Sequence, residues 1–231
     1  MTTYAFIFAR GGSKGLPRKN LKLLEGKPLI QYSIETAQRV KSIDRVFIST
    51  EDGEIATQAI KCGAEVIPRP KELASDSSNE WLSWQHAIEW VRRNIGEFDF
   101  FVSLPATSPL RIPSDVEASL EKLKNSEADV CISVTEASRS PYFNMVVRDQ
   151  SGSVKIVNSL SNSPIRRQDT PKVFDITTVV YTSSPSYIMA HSALFEGDVT
   201  SIVVPKVRAV DIDDIYDFKL AEAILKEMQN A

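Results

Sequence analysis

The chain has 231 residues, 42% hydrophobic and 25% charged, enough for one packed domain and too apolar for a disordered one. With 27 basic against 30 acidic residues its formal net charge is −3, which argues against a nucleic-acid partner. Cys62 and Cys131 sit in apolar stretches without Cys or His at metal spacing; with no leader pattern and no run of membrane-spanning length, a cytoplasmic protein with reduced thiols and no membrane partner is expected.

The predicted elements alternate from the start. Tyr4–Phe8 reads as a buried strand, Pro28–Val40 as a helix with Pro28 in its first turn, and Arg45–Ser49 as a second strand. Glu54–Cys62 reads as a helix closed by Gly63, and Glu65–Ile67 as a short strand stopped by Pro68 and Pro70. Glu80–Ile95 (helix), Phe98–Leu104 (buried strand), Ser114–Leu123 (helix) and Asp129–Val134 (strand) continue the rhythm. This pattern predicts an α/β fold, a mostly parallel sheet with helices on both faces. After residue 138 the rhythm changes. Phe143–Arg148 and Ser153–Val157 read as a hairpin, residues 158–172 as a polar loop, Ile176–Thr182 and Ser201–Val204 as strands, Ser186–Ala190 and Ile215–Met228 as helices. Residues 138–200 therefore look like an insertion, a lid or dimer arm, within a single domain spanning 1–231.

The most informative stretch follows the first strand: Ala9-Arg-Gly-Gly-Ser-Lys-Gly-Leu-Pro-Arg-Lys-Asn20. Arg10, Lys14, Arg18 and Lys19 concentrate positive charge in an otherwise acidic chain. Gly11, Gly12 and Gly15 offer positive φ and close backbone approach, as a polyphosphate cradle requires. Arg10 can fork onto phosphate oxygens, Lys14 and Lys19 act as point charges, and Asn20 can bond a base or ribose. The stretch is neither a Walker A loop nor a G-x-G-x-x-G turn. Thr50 and Asp52, after the second strand, suit a ligand crevice or a helix cap equally well. Arg69 lies on a proline-stiffened loop within reach of a base or triphosphate, and Asp76, Ser77 and Ser78 equally suit the cap of the Trp81 helix. Thr107, Ser108 and Arg111 close the fourth strand as ligand contacts, unless Arg111 pairs with a structural carboxylate. Asp211 and Asp213, two apart, place two carboxylates on one side of an extended segment, a costly arrangement unless a cation joins them. Mg²⁺ takes one or two carboxylates plus phosphate oxygens. Asp214 reads as the cap of the last helix.

Together these motifs resemble the acylneuraminate cytidylyltransferase family, the CMP-sialic acid synthetases, nearly end to end. The carriers are residues 9–20, Ser49-Thr-Glu-Asp52, Arg69-Pro-Lys-Glu-Leu-Ala-Ser-Asp76, Thr107-Ser-Pro-Leu-Arg111 and Asp211-Ile-Asp213. The resemblance implies a Rossmann-like three-layer fold with a small inserted dimerisation arm. It implies transfer of CMP from CTP to the anomeric 2-hydroxyl of a nonulosonic acid, releasing pyrophosphate, by a homodimer whose arm reaches the partner's site. Arg10, Gly11, Gly12, Ser13, Lys14 and Lys19 would bind triphosphate, with Thr107 also on the nucleotide side. Asn20 and Arg69 would contact cytidine, and Asp211 and Asp213 would hold Mg²⁺ (or Mn²⁺). Arg10, Lys19 and Asp211 are the implied catalytic residues, and Tyr181 and Phe195 would border the sugar.

Three departures bear on the sugar. Pro105-Ala106 stands where the sialic acid enzymes typically carry Gln-Pro, Thr177–Val180 where an Asn-Gly-Ala is frequent, and Pro141-Tyr-Phe-Asn144 where a sugar-site Lys is expected. That segment and Pro171-Lys172 resemble the branch that activates bacterial analogues such as legionaminic acid. Arg166, Arg167, Gln168 and Lys172 are the candidates for the sugar's carboxylate or acyl groups. The alternatives are a CMP-Kdo-type or other sugar nucleotidyltransferase, or a non-catalytic nucleotide-binding module, against which the second carboxylate argues.

Overall fold

A computed structural model describes residues 1–75, 78–160 and 166–230. The strands are β1 (Thr3–Phe8), β2 (Leu23–Leu24), β3 (Lys27–Pro28), β4 (Arg45–Thr50), β5 (Glu65–Pro68), β6 (Phe100–Ser103), β7 (Val130–Glu136), β8 (Val146–Arg148), β9 (Val154–Ile156), β10 (Phe174–Ser183) and β11 (Val199–Val203). The helices are α1 (Leu29–Arg39), α2 (Gly53–Lys61), α3 (Glu80–Asn94), α4 (Pro113–Lys124), α5 (Pro185–Ala190) and α6 (Ile215–Asn230).

Strand alternation builds three layers. Ala5 and Ile7 of β1 face one side, where they share a core with Ile30 and Ile34 of α1, Ile55 of α2 and Val116 of α4. Tyr4 and Phe6 face the other side and pack with Trp81, Trp84 and Ile88 of α3 and Ile188 of α5. The sheet between them has seven strands in the order β11-β7-β10-β6-β1-β4-β5. All its neighbouring pairs are parallel except those of β10, which runs antiparallel between β6 and β7. The mostly parallel, three-layer α/β fold expected from the rhythm is thus present. The direction of β10 was not part of that expectation, since a β-branched run reads alike in either direction.

From β1 the chain moves first to β4 and β5 on one side, then to β6 on the other. Such a switch opens a crevice at the carboxyl ends of the two diverging strands. Here it places the loop after β1 beside the turn after β6. A third cluster, Leu16, Leu24, Leu29, Ile212, Phe218 and Ala221, fastens α6 beneath the basic loop.

β10 carries an irregularity at the crevice. Its register against β7 slips between Thr177, opposite Ser133, and Tyr181, opposite Ile132. The extra residues leave backbone groups without ladder partners. Ser133 Oγ accepts the Val180 amide at 2.9 Å, and the buried Arg111 guanidinium donates to the carbonyls of Thr178 (3.1 Å), Val179 and Pro105 (2.7 Å). Arg111 therefore serves the backbone, not an ion pair. It is Arg208 that pairs with Asp115, at 2.8 Å.

Within residues 138–200, β8 and β9 form their own two-stranded sheet, with Val146, Val147, Val154 and Ile156 exposed. From Phe174 onward the chain is back in the main sheet and its helical layers. The cap of α3 is Asn79, whose side chain accepts the Trp81 amide at 3.0 Å, and not Ser78. Asp76 and Ser77 lie outside the described residues.

Candidate active site

The basic loop folds over the crevice by close approach. None of Gly11, Gly12 and Gly15 has a positive φ; the left-handed residue of the loop is Arg18, at φ 55°. A Cβ on Gly15 would lie 2.3 Å from the Asp213 carbonyl oxygen, and one on Gly11 2.3 Å from Asp52 Oδ2. These two glycines are required by proximity, and Gly12 faces open space. Asp52 settles as a cap: its Oδ1 accepts the amides of Glu54 and Ile55, and its Oδ2 pairs with Arg18 Nη1 at 2.5 Å. Arg18 is thus spent on holding the loop, with a second contact to Glu54 at 2.5 Å.

The segment before α6 completes the interlock. Ile212 N–H donates to the Thr107 carbonyl at 2.9 Å, and Lys19 Nζ reaches the Ile212 carbonyl and Asp213 Oδ1. Asn20 is buried, and its side-chain amide donates to the Arg10 carbonyl at 2.9 Å. The loop after β1, the turn after β6 and the segment at 211–213 are therefore one bonded unit.

This unit encloses a cavity of about 490 Å³. Arg10, Ser13, Lys14, Lys19, Asn20, Arg69, Thr107, Tyr181 and Asp213 all line it. Gly11 and Gly12 are set back from its wall, and the Gly11 amide donates to Glu51 at 2.8 Å. Arg69 lies buried over the Phe8 ring and donates to Ser49 through Nε and Nη2. Burial lowers its pKa, with the nearby Arg10 adding to the effect against Glu51 and Glu80.

Asp211 and Asp213 do not share one face of a strand, because no strand forms there. Asp213 is open to the cavity, while Asp211 lies behind the wall with Oδ1 buried and without a hydrogen-bond partner among the described residues. Burial pushes the Asp211 carboxyl up and Asp213 adds to this, against the hydroxyls of Thr107 and Thr178 and the charge of Lys19. A buried carboxylate oxygen left without a donor fits a cation supplied with the ligand. Among the described residues no cluster of three His, Cys, Asp or Glu could hold a metal alone, so the remaining ligands would have to come from phosphate and water.

Comparison with known proteins decides the family. The model of the family described as "Cytidylyltransferase" matches residues 4–189. The chain belongs to that cytidylyltransferase family. It is 32% identical over 226 residues to post-translational flagellin modification protein B of Campylobacter coli, covering 96% of this chain and 94% of that one. It is 32% identical to the CMP-N,N'-diacetyllegionaminic acid synthase of Campylobacter jejuni, covering 95% and 93%. Among solved structures, CMP:2-keto-3-deoxy-manno-octonic acid synthetase complexed with CTP superposes with a TM-score of 0.74, covering 99% of this chain and 100% of that chain; its 17% identity speaks to the fold.

Beside the main cavity of this cytidylyltransferase lies a second hollow of about 330 Å³, lined by Trp81, Trp84, Tyr181, Leu194 and Phe195 among others. Glu80 and Tyr181 border both. Burial pushes the Tyr181 hydroxyl up to about 12, with the charges of Glu80 and Asp211 adding to it. Neighbouring protein atoms and the charge of Asp211 raise the Glu80 carboxyl, against a hydrogen bond from Trp84 and the charge of Arg69, although the residue as a whole stays exposed to solvent. Phe195 is thus adjacent to the main cavity without lining it. Arg166, Arg167, Gln168 and Lys172 line neither hollow. Arg166 pairs with Asp169 at 3.2 Å, Arg167 donates to the Ala137 carbonyl, Gln168 sits in the turn between them, and Lys172 is exposed.

Glu80 and Thr178 carry no sequence motif. Glu80 reads as an ordinary acid at a helix start, where the dipole favours it. Thr178 reaches the cavity because the slip in β10 turns it there, and a slip leaves no mark in a β-branched run.

Proposed function

We propose that this enzyme couples CTP to a nonulosonic acid, of the legionaminic type before the sialic type, giving the CMP-sugar and pyrophosphate. One observation carries the reading. A single cavity gathers Arg10, Lys14 and Lys19 with Asp213, over the unpartnered Asp211 Oδ1. The relatives' names, which include a CMP-N,N'-diacetyllegionaminic acid synthase, supply the acceptor class.

In this mechanism Arg10, Ser13, Lys14 and Lys19 draw the triphosphate into the cavity, and Asn20, Arg69 and Thr107 position the nucleoside. The anomeric 2-hydroxyl attacks the α-phosphorus. A new P–O bond forms as the bond to the β-phosphate breaks, the hydroxyl proton passes to solvent, and pyrophosphate leaves. Arg10 faces the α-phosphate, where charge accumulates in the transition state. Asp211 and Asp213 are the residues that would hold Mg²⁺ (or Mn²⁺), which when bound neutralises triphosphate charge and orients the reacting oxygens.

We assign the exposed valines and isoleucine of the β8–β9 hairpin to a homodimer contact, since a patch of this kind is costly to leave in water. Arg166, Arg167, Gln168 and Lys172 would then serve the partner's cavity, where they would meet the sugar's carboxylate or acyl groups. A cytoplasmic location follows from the need for CTP. Among the described residues no helix is long and apolar enough to cross a membrane.

The deciding experiment incubates the protein with CTP, Mg²⁺ and a panel of N,N'-diacetyllegionaminic acid, N-acetylneuraminic acid and Kdo, scored by pyrophosphate release. Turnover of a nonulosonic acid ahead of Kdo is expected. Faster turnover of Kdo would assign the enzyme to the octulosonate reaction, and CTP binding without turnover would make it a binding module.

A further inference from the structure

The chain leaves the sheet at Val204, whose amide donates to the Val134 carbonyl at 2.8 Å, and rejoins the site at Ile212, bonded to Thr107. Between these points its backbone closes on itself, with Arg208 N–H on the Pro205 carbonyl at 2.9 Å and Ala209 N–H on that of Lys206 at 3.1 Å. Among the described residues no strand holds this stretch, which carries Asp211. Two cationic side chains reach from it to the body of the domain. Lys206 donates to Ser138 Oγ at the exposed surface. Arg208 turns instead to Asp115, which is buried in the first turn of α4.

The bond to Asp115 is forked. Arg208 Nε donates to Asp115 Oδ2 at 3.0 Å and Nη2 to Oδ1 at 2.8 Å. Asp115 Oδ2 also accepts the Ile112 amide at 3.1 Å. One carboxylate thus grips the turn after β6 and the segment before α6 together. The Ile212–Thr107 bond joins the same two stretches at a second point, and Asp211 falls between the two points in sequence. Neither Asp115 nor Arg208 lines either hollow.

A buried ion pair adds little stability that well-packed apolar side chains would not match. What the planar fork adds is a fixed distance and direction between two stretches of irregular chain. The stretch fixed here is the one whose carboxylates stand against Lys19 and the basic loop. Resting on the reaction proposed above, we infer that Asp115 and Arg208 are positioning residues, whose forked ion pair sets the place of Asp211 and Asp213 beside the cavity.

The test compares wild type with Arg208→Lys, which keeps the charge and loses the fork, and with the double variant Asp115→Asn/Arg208→Gln, which buries no unpaired charge. Hydrogen exchange is read at the Ile212 amide and across β1 in the ligand-free protein, and turnover is read against Mg²⁺ concentration. In both variants exchange at Ile212 rises by about tenfold to a hundredfold, the worth of a hydrogen bond to a charged group, while the β1 amides stay as in wild type. The Mg²⁺ concentration for half-maximal turnover rises by about tenfold to a hundredfold as well. Exchange that rises equally at Ile212 and in β1, or a Mg²⁺ dependence unchanged from wild type, overturns the inference and leaves the pair as a fastening of the fold. So does unchanged exchange at Ile212, or failure of both variants to fold. A wild type that turns over no nonulosonic acid overturns the proposed reaction alone, and the exchange comparison still decides the positioning.

Discussion

Lys19 Nζ lies 3.4 Å from Asp213 Oδ1, and the backbone of the same aspartate packs against Gly15. The basic loop and the carboxylate segment, nearly two hundred residues apart in sequence, are fitted to one another before any ligand arrives. This fit ties the proposed phosphate site to the proposed metal site, because moving one moves the other.

Gly15→Ala tests the fit. Its methyl would collide with the Asp213 carbonyl, which is backbone and cannot swing away. Displacing Asp213 and the loop by an ångström is expected to lower kcat/KM about a hundredfold. Gly12→Ala adds a methyl that meets nothing within 4 Å and should lose much less. Steady-state kinetics of the two variants decide it, and equal losses would show that loop flexibility, not contact with Asp213, is what the glycines provide.

Asp211→Asn separates function from stability. Burial raises this carboxyl, so the folded protein holds its proton more tightly than the unfolded chain does. Stability therefore falls as pH rises from the ordinary aspartate range through the raised pKa, and stays lower above it. Asn avoids that loss. The ligand-free variant should melt higher than wild type at neutral pH, with the difference vanishing in acid below the aspartate range. Turnover should meanwhile drop about a hundredfold or more. Melting curves across pH and pyrophosphate release check both halves; a variant that melts lower at neutral pH would show that Asp211 is satisfied in the free protein.

Arg111 is held for the fold. Its buried guanidinium, lowered by burial to about 9, donates to Ser33 Oγ at 2.8 Å as well as to three carbonyls around the β10 slip. Arg111→Met leaves those acceptors without donors and should cost about 3 kcal/mol or more in urea denaturation. A loss below about 1 kcal/mol would mean that water replaces the guanidinium.

The layers, the crevice and the basic loop were legible because they rest on local pattern: alternation in β1, helical spacing in α1, and small and basic residues packed between Ala9 and Asn20. The partition of roles was less legible. Arg18, Arg69 and Arg111 all look like ligand-side arginines in loops that follow strands, yet one holds a loop, one lines the cavity and one supports a slipped strand. What separates them is the neighbouring acceptors, Asp52, Ser49 and Val179, which the fold brings from elsewhere in the chain. The spacing of Asp211 and Asp213 suggested a shared face, but that held only for an extended segment. Glu80 was hidden for the opposite reason, since an acid at a helix start already has a sufficient local cause.

Arg10→Ala measures where the loop acts. Arg10 lines the cavity, and its Nη1 also donates to the Ala74 carbonyl at 3.5 Å. A group that meets charge built up on the α-phosphate contributes more in the transition state than in the bound ground state. The variant should therefore lose about a hundredfold in kcat with a much smaller change in the KM for CTP. Arg10→Lys, which keeps the charge and loses the fork, should recover part of kcat. A loss confined to KM would place Arg10 on the outer phosphates, and the α-phosphate would then fall to Lys19, whose tie to Asp213 already holds it on the wall of the same cavity.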